Sequence, residues 1–243
     1  MRIGVYVDGY NLYYGARKHC GRSTTGWRWL DVRALVAPLA GWPGSRLSRV
    51  VYCTARVDAV DSPDASLDQS IYLDALIASG AVDVIAEGRY VSWAKAEPLV
   101  TGRPGTFRPR VYLHDDESWD RRLPLRAISA GDDRLLMATV RKREEKGSDV
   151  NVASHLLFDV LTDAVDGAIV VSNDSDLELP LRLARERVPV GTVNPSTNPT
   201  AGALKGSPDD GAGRHWWRRL TAEDYLRSQL PDPVGRLRKP IGW

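Results

Sequence analysis

Short apolar runs alternate with amphipathic stretches along most of the chain. Residues 3–7, 47–57 and 82–88 are apolar or β-branched runs of the kind that form strands buried on both faces of a sheet. Apolar residues recur at helical spacing within 29–41 and 64–80, and each stretch ends in a glycine, Gly41 or Gly80, as a plausible stop. The pattern therefore predicts strands that alternate with helices.

The same alternation returns in the second half of the chain. Val152, Leu156 and Val160 make an apolar helix face, and the run 167–172 (GAIVVS) predicts a strand. A helix at 177–187 and a strand at 188–194 follow. Such an order implies βαβ units with right-handed crossovers, so we expect an α/β fold with a mostly parallel central sheet.

The sequence suggests one large domain with two less regular segments. Residues 1–195 are predicted to form the domain. Within them, 92–135 is rich in Pro, Gly, Arg and acidic residues and predicts an irregular insertion: a long loop, a small hairpin or a lid. Residues 196–243 predict a linker and C-terminal extension with a short helix at 221–229. The stretch 215–219 (HWWRR) fits either a nucleic-acid surface or tryptophans that pin the extension to the domain.

Composition and charge exclude several classes of protein. The 33 basic and 31 acidic residues leave a net charge of +2, which excludes a polycationic nucleic-acid coat but allows a local basic face. Two cysteines, Cys20 and Cys53, cannot supply a disulfide scaffold and fit a reducing compartment. No apolar window reaches the roughly 18 residues of a membrane span, and the first apolar run is too short for a signal peptide. We therefore expect a cytoplasmic location and no membrane partner.

Acidic residues follow two of the predicted strands. Asp8 ends the first strand, Asp174 and Asp176 follow the strand at 167–172, and Asp149 begins the helix that precedes it. Ligand sites of parallel sheets lie beyond the carboxyl ends of the strands. If the two strands are neighbours, the four carboxylates converge on one edge of the sheet. Because clustered carboxylates repel each other, a hard divalent cation is the usual compensation.

Each acid also has an ordinary structural interpretation. Asp8 fits a simple turn with the glycine after it, and Asp149 fits an acid stabilised by the dipole of its own helix. Ser175 and Glu178 match a capping box, although Pro180 would then remove a backbone donor within the helix. The set of acids argues for a shared cation more strongly than any one of them does.

Three segments carry a family resemblance: VYVDGYNLYY, EKGSDVNVASHLLFD and GAIVVSNDSDLELPLRLARE. Together, in this order and spacing, they resemble the NYN domain family of PIN-like ribonucleases. The resemblance covers roughly residues 1–195. It implies a PIN-like three-layer α/β/α sandwich and metal-dependent cleavage of RNA, with Mg²⁺ or Mn²⁺ held by clustered acids.

The resemblance also implies roles for individual residues. Asp8, Asp149, Asp174 and Asp176 would hold the metal, and Asn11 would orient a ligand or water beside them, so that these five form the catalytic set. The residues expected to contact RNA are Tyr10, Asn11, Arg143, Lys146, His155, Ser172 and Asn173.

His155 departs from the family pattern, because many members carry another Asp there. A neutral imidazole could ligate Mn²⁺ or touch RNA, or it could make only a structural hydrogen bond on the helix surface. The basic residues before Asp149 fit a phosphate-binding stretch, but equally a solvated helix in which Glu144 and Glu145 balance the charge; they are Arg141, Lys142, Arg143 and Lys146. The run 114–117 (HDDE) fits a metal site or, more simply, a solvated loop.

The leading hypothesis is a Mg²⁺- or Mn²⁺-dependent endoribonuclease with RNA as its partner, and a homo-oligomer is compatible with it. The alternative is an RNA-binding regulator with a weak or inactive nuclease pocket, motivated by His155. A phosphohydrolase of the haloacid-dehalogenase type is disfavoured, because Asp8 is followed by Gly9 and Tyr10 and not by a second Asp at the required position.

Overall fold

The structure of the protein is a computed structural model that describes residues 1–113, 119–120, 122–131 and 133–243. The acidic run predicted at 114–117 lies outside the described residues. The chain forms two compact units, and each is described by itself. The first contains Met1–Tyr90 and Glu145–Trp243, and the second contains Val91–Glu144. All predicted site residues except Arg143 belong to the first unit. The domain limits at 92–135 and 195 stay predictions.

Ten strands and seven α-helices are defined in the described part of the chain. The strands are β1 (Arg2–Asp8), β2 (Arg46–Ala55), β3 (Val84–Pro98), β4 (Val100–Thr101), β5 (Arg110–Val111), β6 (Leu125–Ala130), β7 (Asp133–Lys146), β8 (Gly167–Val171), β9 (Val190–Asn194) and β10 (Trp216–Arg219). The helices are α1 (Gly9–Cys20), α2 (Val32–Val36), α3 (Pro63–Ala78), α4 (Ser148–Leu161), α5 (Glu178–Arg185), α6 (Gly202–Lys205) and α7 (Ala222–Arg227). Short 3₁₀ turns occupy Ala37–Leu39 and Ser175–Leu177.

Eight of the strands form one sheet in the order β10-β9-β8-β1-β2-β3-β7-β6. The pairs from β10 to β3 that bear on the site are parallel, and β6 pairs with β7 in antiparallel fashion. The prediction of an α/β fold with a mostly parallel sheet is therefore confirmed. β1 lies directly beside β8, with Val7 opposite Val171, so the two strands that carry the acids are neighbours.

Two apolar cores lie against this sheet, because successive side chains of a strand point to opposite faces. In β1, Ile3, Val5 and Val7 enter one core, whereas Tyr6 enters the other. The first core also takes buried residues of α1, α2 and α3, and the second takes residues of α4 and α5. Helices therefore cover both faces of the sheet in the region of the site residues.

The structure differs from the sequence prediction in two elements that affect the site. α1 was not predicted, although Asp8 accepts a hydrogen bond from the Asn11 amide as its N-cap, and three basic residues occupy the last turn. The charged stretch around Arg141–Glu145 belongs to strand β7 and not to a solvated helix. A strand accommodates this pattern because its side chains alternate between two faces.

The C-terminal residues pack on the sheet and its helices. β10 pairs with β9, and the ring of Trp216 lies 5.6 Å from that of Trp42. The predicted helix at 221–229 is present as α7, where Thr221 and Asp224 form a capping box. No helix in the described ranges has the length and apolarity that crossing a bilayer requires.

Candidate functional site

Asp8 is a buried carboxylate at the junction of β1 and α1. Its Oδ1 accepts a hydrogen bond from the Asn11 amide at 3.0 Å. Its Oδ2 accepts one from Asn11 Nδ2 at 2.7 Å and one from the Ser172 hydroxyl at 3.0 Å. Burial raises the pKa of Asp8, and these hydrogen bonds oppose the rise. The network ties the start of α1 to the carboxyl ends of β1 and β8.

The other predicted acids lie at the same edge of the sheet. Asp174 caps the 3₁₀ turn by accepting from the Asp176 amide at 3.0 Å, so Asp174 and not Ser175 is the cap. Asp149 lies in the first turn of α4. Burial, followed by the charges of Asp8 and Asp174, raises the pKa of Asp149 to about 6. The carboxylates therefore act on each other electrostatically, as the adjacency of the strands requires.

Asp8 and Asp174 at this edge of the sheet have local hydrogen-bond partners in the described structure. Within the described ranges, no three or more Asp, Glu, His or Cys side chains are grouped so that they could hold a metal ion. The oxygens of Asp8 are already occupied by protein donors, and Asp174 is used as a cap. The acids therefore form a set of carboxylates on one edge, two of them with their own local partners, and their binding of a metal stays a prediction.

Asn173 and Tyr10 also have structural partners. Asn173 accepts from the Ala201 amide at 2.9 Å and donates to the Pro199 carbonyl at 3.2 Å, which fixes the loop after β9. The Tyr10 hydroxyl donates to the Ala55 carbonyl at 2.8 Å.

His155 lies apart from the acidic edge. Its Nδ1 is 3.5 Å from Nη2 of Arg49, which forms a 3.1 Å salt bridge with the buried Asp159. Tyr6 donates a hydrogen bond to the same aspartate at 2.9 Å. Lys146 ends β7 with an exposed side chain, and Arg143 belongs to the second unit.

Of the residues predicted to contact RNA, Asn11, Ser172 and Asn173 lie together. Asn11 and Ser172 both donate to Asp8, and the Asn173 amide donates to Oδ1 of Asn11 at 3.3 Å. His155 lies instead beside Arg49.

A cavity of about 540 Å³ opens beside Gly9, the residue after Asp8. Its walls come from α1, β2, α3, the start of β3 and the last residue of the chain. This cavity was not predicted from the sequence, although the closely spaced tyrosines of α1 were a signal for it. Aromatic side chains dominate the lining: Tyr10, Tyr13, Tyr14, Tyr52, Tyr72, Tyr90 and Trp243.

Charged side chains of both signs also line the aromatic cavity. Arg17 and Arg28 are the cations, and Asp68 is the anion. Asp68 accepts a hydrogen bond from the indole of Trp243 at 3.2 Å. The cavity therefore combines flat apolar walls with polar groups that can orient a small aromatic molecule.

The comparisons with known proteins give one informative relative. No family model matches the chain. The chain is 28% identical, over 268 aligned positions, to 6-hydroxy-3-succinoylpyridine 3-monooxygenase HspA of Pseudomonas putida, with 100% of this chain and 75% of that protein covered. A crystal structure of a protein of unknown function from Vibrio parahaemolyticus is 16% identical with a TM-score of 0.41, covering 84% of this chain and 86% of that one. A similarity that low supports no argument.

The relative overturns the functional prediction made from the acids. The expected metal-dependent endoribonuclease is wrong, and with it the RNA-binding regulator built on the same pocket, because the similar protein is named as a monooxygenase, an oxidoreductase and not a hydrolase. Enzymes with different reactions carry carboxylates at the edge of a sheet, so the presence of these acids did not specify phosphodiester hydrolysis. The relative's name also gives no support to RNA or a homo-oligomer as partners.

Proposed function

We propose that this protein is an oxidoreductase of the monooxygenase class that acts on a small aromatic molecule bound in the aromatic cavity. The similarity to a monooxygenase extends over the whole chain, and that relative is named for a substituted pyridine. The single structural observation that carries the proposal is the cavity itself. Its 540 Å³ falls within the roughly 300–1,000 Å³ that small-molecule sites occupy.

The reaction class sets what the cavity must do. A monooxygenase places one atom of O₂ in its substrate and releases the other as water, which takes two electrons and two protons. We propose a reduced nicotinamide as the reductant: its hydride supplies both electrons and one proton, and solvent supplies the second proton. The chain's own residues would hold the ring between aromatic walls and exclude bulk water from it. Tyr10 and Tyr72 suit this role, because hydrogen bonds to Ala55 and Leu30 fix their hydroxyls and hence their rings.

We also propose that the scaffold is PIN-like, as the resemblance to the NYN family implies. The two cores on opposite sides of the sheet support a three-layer arrangement. The placement of Asp8, Asn11 and Ser172 at adjacent strand ends supports it as well. In this proposal the NYN-type edge residues build the wall next to the cavity.

Binding of Mg²⁺ or Mn²⁺ at the acidic edge is a separate proposal. Burial, and then the charges of Asp8 and Asp174, raise the pKa of Asp149, and a cation would relieve the part that comes from those charges, which supports the proposal. Calorimetric titration of the protein with Mn²⁺, beside Asp149→Asn, tests it. Identical heats from both proteins would remove Asp149 from any such site.

The monooxygenase proposal is tested by oxygen uptake. The purified protein is given 6-hydroxy-3-succinoylpyridine and NADH, with and without added flavin or Fe²⁺, and isotopically labelled O₂ is followed into the product. We expect substrate-dependent uptake and one labelled oxygen in the organic product. Absence of uptake under all of these conditions would refute the proposal for this substrate.

Two substitutions in α3 connect that activity to the cavity. Ala65 lines the cavity, so Ala65→Trp should fill part of it and reduce the rate at least about tenfold, since misplacing a substrate by one ångström costs roughly that much or more. Ala78→Trp is the matched control, because Ala78 is exposed on the same helix and is not part of the lining. Equal loss in both variants would argue against the cavity as the site.

A further inference from the structure

Tyr52 differs from the other buried tyrosines of the cavity in its hydroxyl group. The hydroxyls of Tyr10 and Tyr72 donate to the backbone carbonyls of Ala55 and Leu30. The Tyr52 side chain is 6% exposed and lines the cavity, yet its hydroxyl has no hydrogen-bond partner among the described residues. Because Tyr52 lines the cavity and its hydroxyl is not held by another residue described in the structure, this group is available for a ligand.

The Tyr52 ring packs directly against the glycine that follows Asp8. A Cβ atom on Gly9 would stand 2.8 Å from Cζ of Tyr52 and 2.9 Å from its hydroxyl oxygen. Only the absence of a side chain lets the ring pass so close to the start of α1. Burial, and then the charge of Asp8, raises the pKa of Tyr52, so its hydroxyl keeps its proton and stays a donor.

Arg17 is the more available of the two cations that line the cavity. Arg28 donates to the carbonyls of Gly242 and Arg22, and its guanidinium lies 4.9 Å from the Trp27 ring. Arg17 has only a 6.0 Å approach to the Tyr14 ring, and no carboxylate within salt-bridge distance in the part of the chain described. A half-buried guanidinium of this kind favours an anionic group of a ligand.

We infer that the aromatic cavity selects hydroxylated N-heteroaromatic carboxylates. The Tyr52 hydroxyl donates to the oxygen substituent on the heteroaromatic ring, and Arg17 pairs with the carboxylate. The inference rests on the proposed function for the aromatic ring and adds the two residues that determine specificity. Asp68 opposes an anion in the same cavity, but its Oδ2 already accepts from Trp243. The carboxylate is assigned to Arg17 because Arg17 is the cation of the lining that the structure leaves without a carboxylate partner in the described residues.

Three related probes separate these contacts. 6-Hydroxynicotinate carries both an oxygen substituent on the ring and a carboxylate. Nicotinate lacks the oxygen substituent, and 2-hydroxypyridine lacks the carboxylate. Isothermal titration calorimetry with the full-length protein should show 6-hydroxynicotinate as the tightest of the three. No detectable binding of 6-hydroxynicotinate at millimolar concentration would overturn the inference.

Tyr52→Phe should weaken 6-hydroxynicotinate about fivefold, as expected for one lost hydrogen bond, and leave nicotinate unchanged. Tyr6→Phe is the matched control, because the Tyr6 hydroxyl is bonded to Asp159 in the other core. It should lower stability without changing any of the three affinities. Retained nicotinate binding shows that the cavity of the Tyr52 variant is intact.

Arg17→Gln should weaken both carboxylate probes about tenfold and leave 2-hydroxypyridine unchanged, because charge-assisted hydrogen bonds are the stronger ones. Arg22→Gln is the control, since Arg22 is exposed and outside the lining. If either test variant lowers the affinity for all three probes equally, or for none of them, that residue does not contact the ligand group assigned to it.

The oxygen-uptake assay separates failure of this inference from failure of the proposed function. The expected probe pattern without any oxygen uptake would leave the ligand assignment standing and refute the monooxygenase. Oxygen uptake that Tyr52→Phe and Arg17→Gln leave unchanged would support the monooxygenase and refute the ligand assignment.

Discussion

The Ser172 hydroxyl donates a hydrogen bond to Oδ2 of Asp8 over 3.0 Å, and this bond joins the carboxyl ends of two adjacent parallel strands. Asn11 supplies two further donors to the same carboxylate, one from its backbone and one from its side chain. Three donors explain how a buried carboxylate is tolerated at this position. They also place α1, and with it one wall of the aromatic cavity, against the sheet.

Removal of the Asp8 carboxylate should destabilise the fold. Asp8→Ala deletes an N-cap and leaves buried donors of Asn11 and Ser172 without an acceptor, so we expect a loss of about 2–3 kcal/mol in the free energy of unfolding. Asp8→Asn keeps one acceptor oxygen for the Asn11 amide and should cost about 1 kcal/mol. Urea denaturation of the three proteins measures both changes. An Ala variant as stable as the natural protein would show that the network contributes nothing.

Asp149 should make the protein less stable as the pH rises toward neutrality. Its pKa is raised from 3.8 to about 6 in the folded protein, so the folded state holds the proton more tightly than the unfolded chain does. The stabilisation is complete below the unfolded pKa and is lost as the pH passes through about 6. Asp149→Asn should therefore gain stability at pH 7, by about 1 kcal/mol after allowance for solvent screening.

Denaturation of the metal-free protein at several pH values between 4 and 8 tests this effect of Asp149. The difference in stability between Asp149→Asn and the natural protein should grow from pH 4 to about pH 6 and level off above it, because both states are ionised there. A difference that does not vary with pH would contradict the raised pKa.

His215 should make the protein less stable as the pH falls, which is the opposite of the effect of Asp149. Its Nδ1 accepts from the Val190 amide at 3.0 Å and its Nε2 lies 2.6 Å from the Asp210 carbonyl, so the ring is held neutral with both nitrogens in use. Burial lowers its pKa, Arg185 lowers it further, and Asp210 and Asp209 oppose the shift. Because the unfolded chain then binds the proton more tightly, stability should fall as the pH drops below about 6.5.

The substitution His215→Phe removes the titrating group and tests its contribution. The variant should be less stable at neutral pH, because it leaves the Val190 amide without its acceptor. Its loss of stability below pH 6.5 should be shallower than that of the natural protein. A parallel pH profile for the two proteins would assign the acid sensitivity to other groups.

Gly15 should tolerate no side chain. A Cβ atom there would clash with the carbonyl of Pro195, which is backbone and cannot move aside without shifting the loop after β9. We expect Gly15→Ala to cost at least about 2 kcal/mol, even though alanine is the better helix former by roughly 1 kcal/mol. Gly202→Ala in α6 is the control: nothing lies within 4 Å of its added Cβ, so it should be neutral or stabilising. Thermal melts of both variants decide the point.

Much of the sheet could be predicted from the chain, because its signals are local. The apolar runs of β1, β2 and β8 specify strands buried on both faces, and the helices between them predict parallel pairing. The convergence of Asp8, Asp149 and Asp174 on one edge was predicted on the condition that β1 and β8 are neighbours, and their pairing in the structure meets that condition. α1 escaped prediction because its glycines and tyrosines are poor helix formers, and its packing against Pro195 compensates for that deficit.

The sequence by itself determined the alternation of strands and helices and the edge on which the acids meet, since both depend on side-chain periodicity and strand direction. Only the tertiary structure decided what lies beside that edge. The aromatic cavity joins Tyr10, Tyr52, Tyr72 and Trp243, which are distant in the chain and share no local pattern. Which tyrosine hydroxyl is left without a partner depends on carbonyls supplied by other segments, so it is a property of packing and not of sequence.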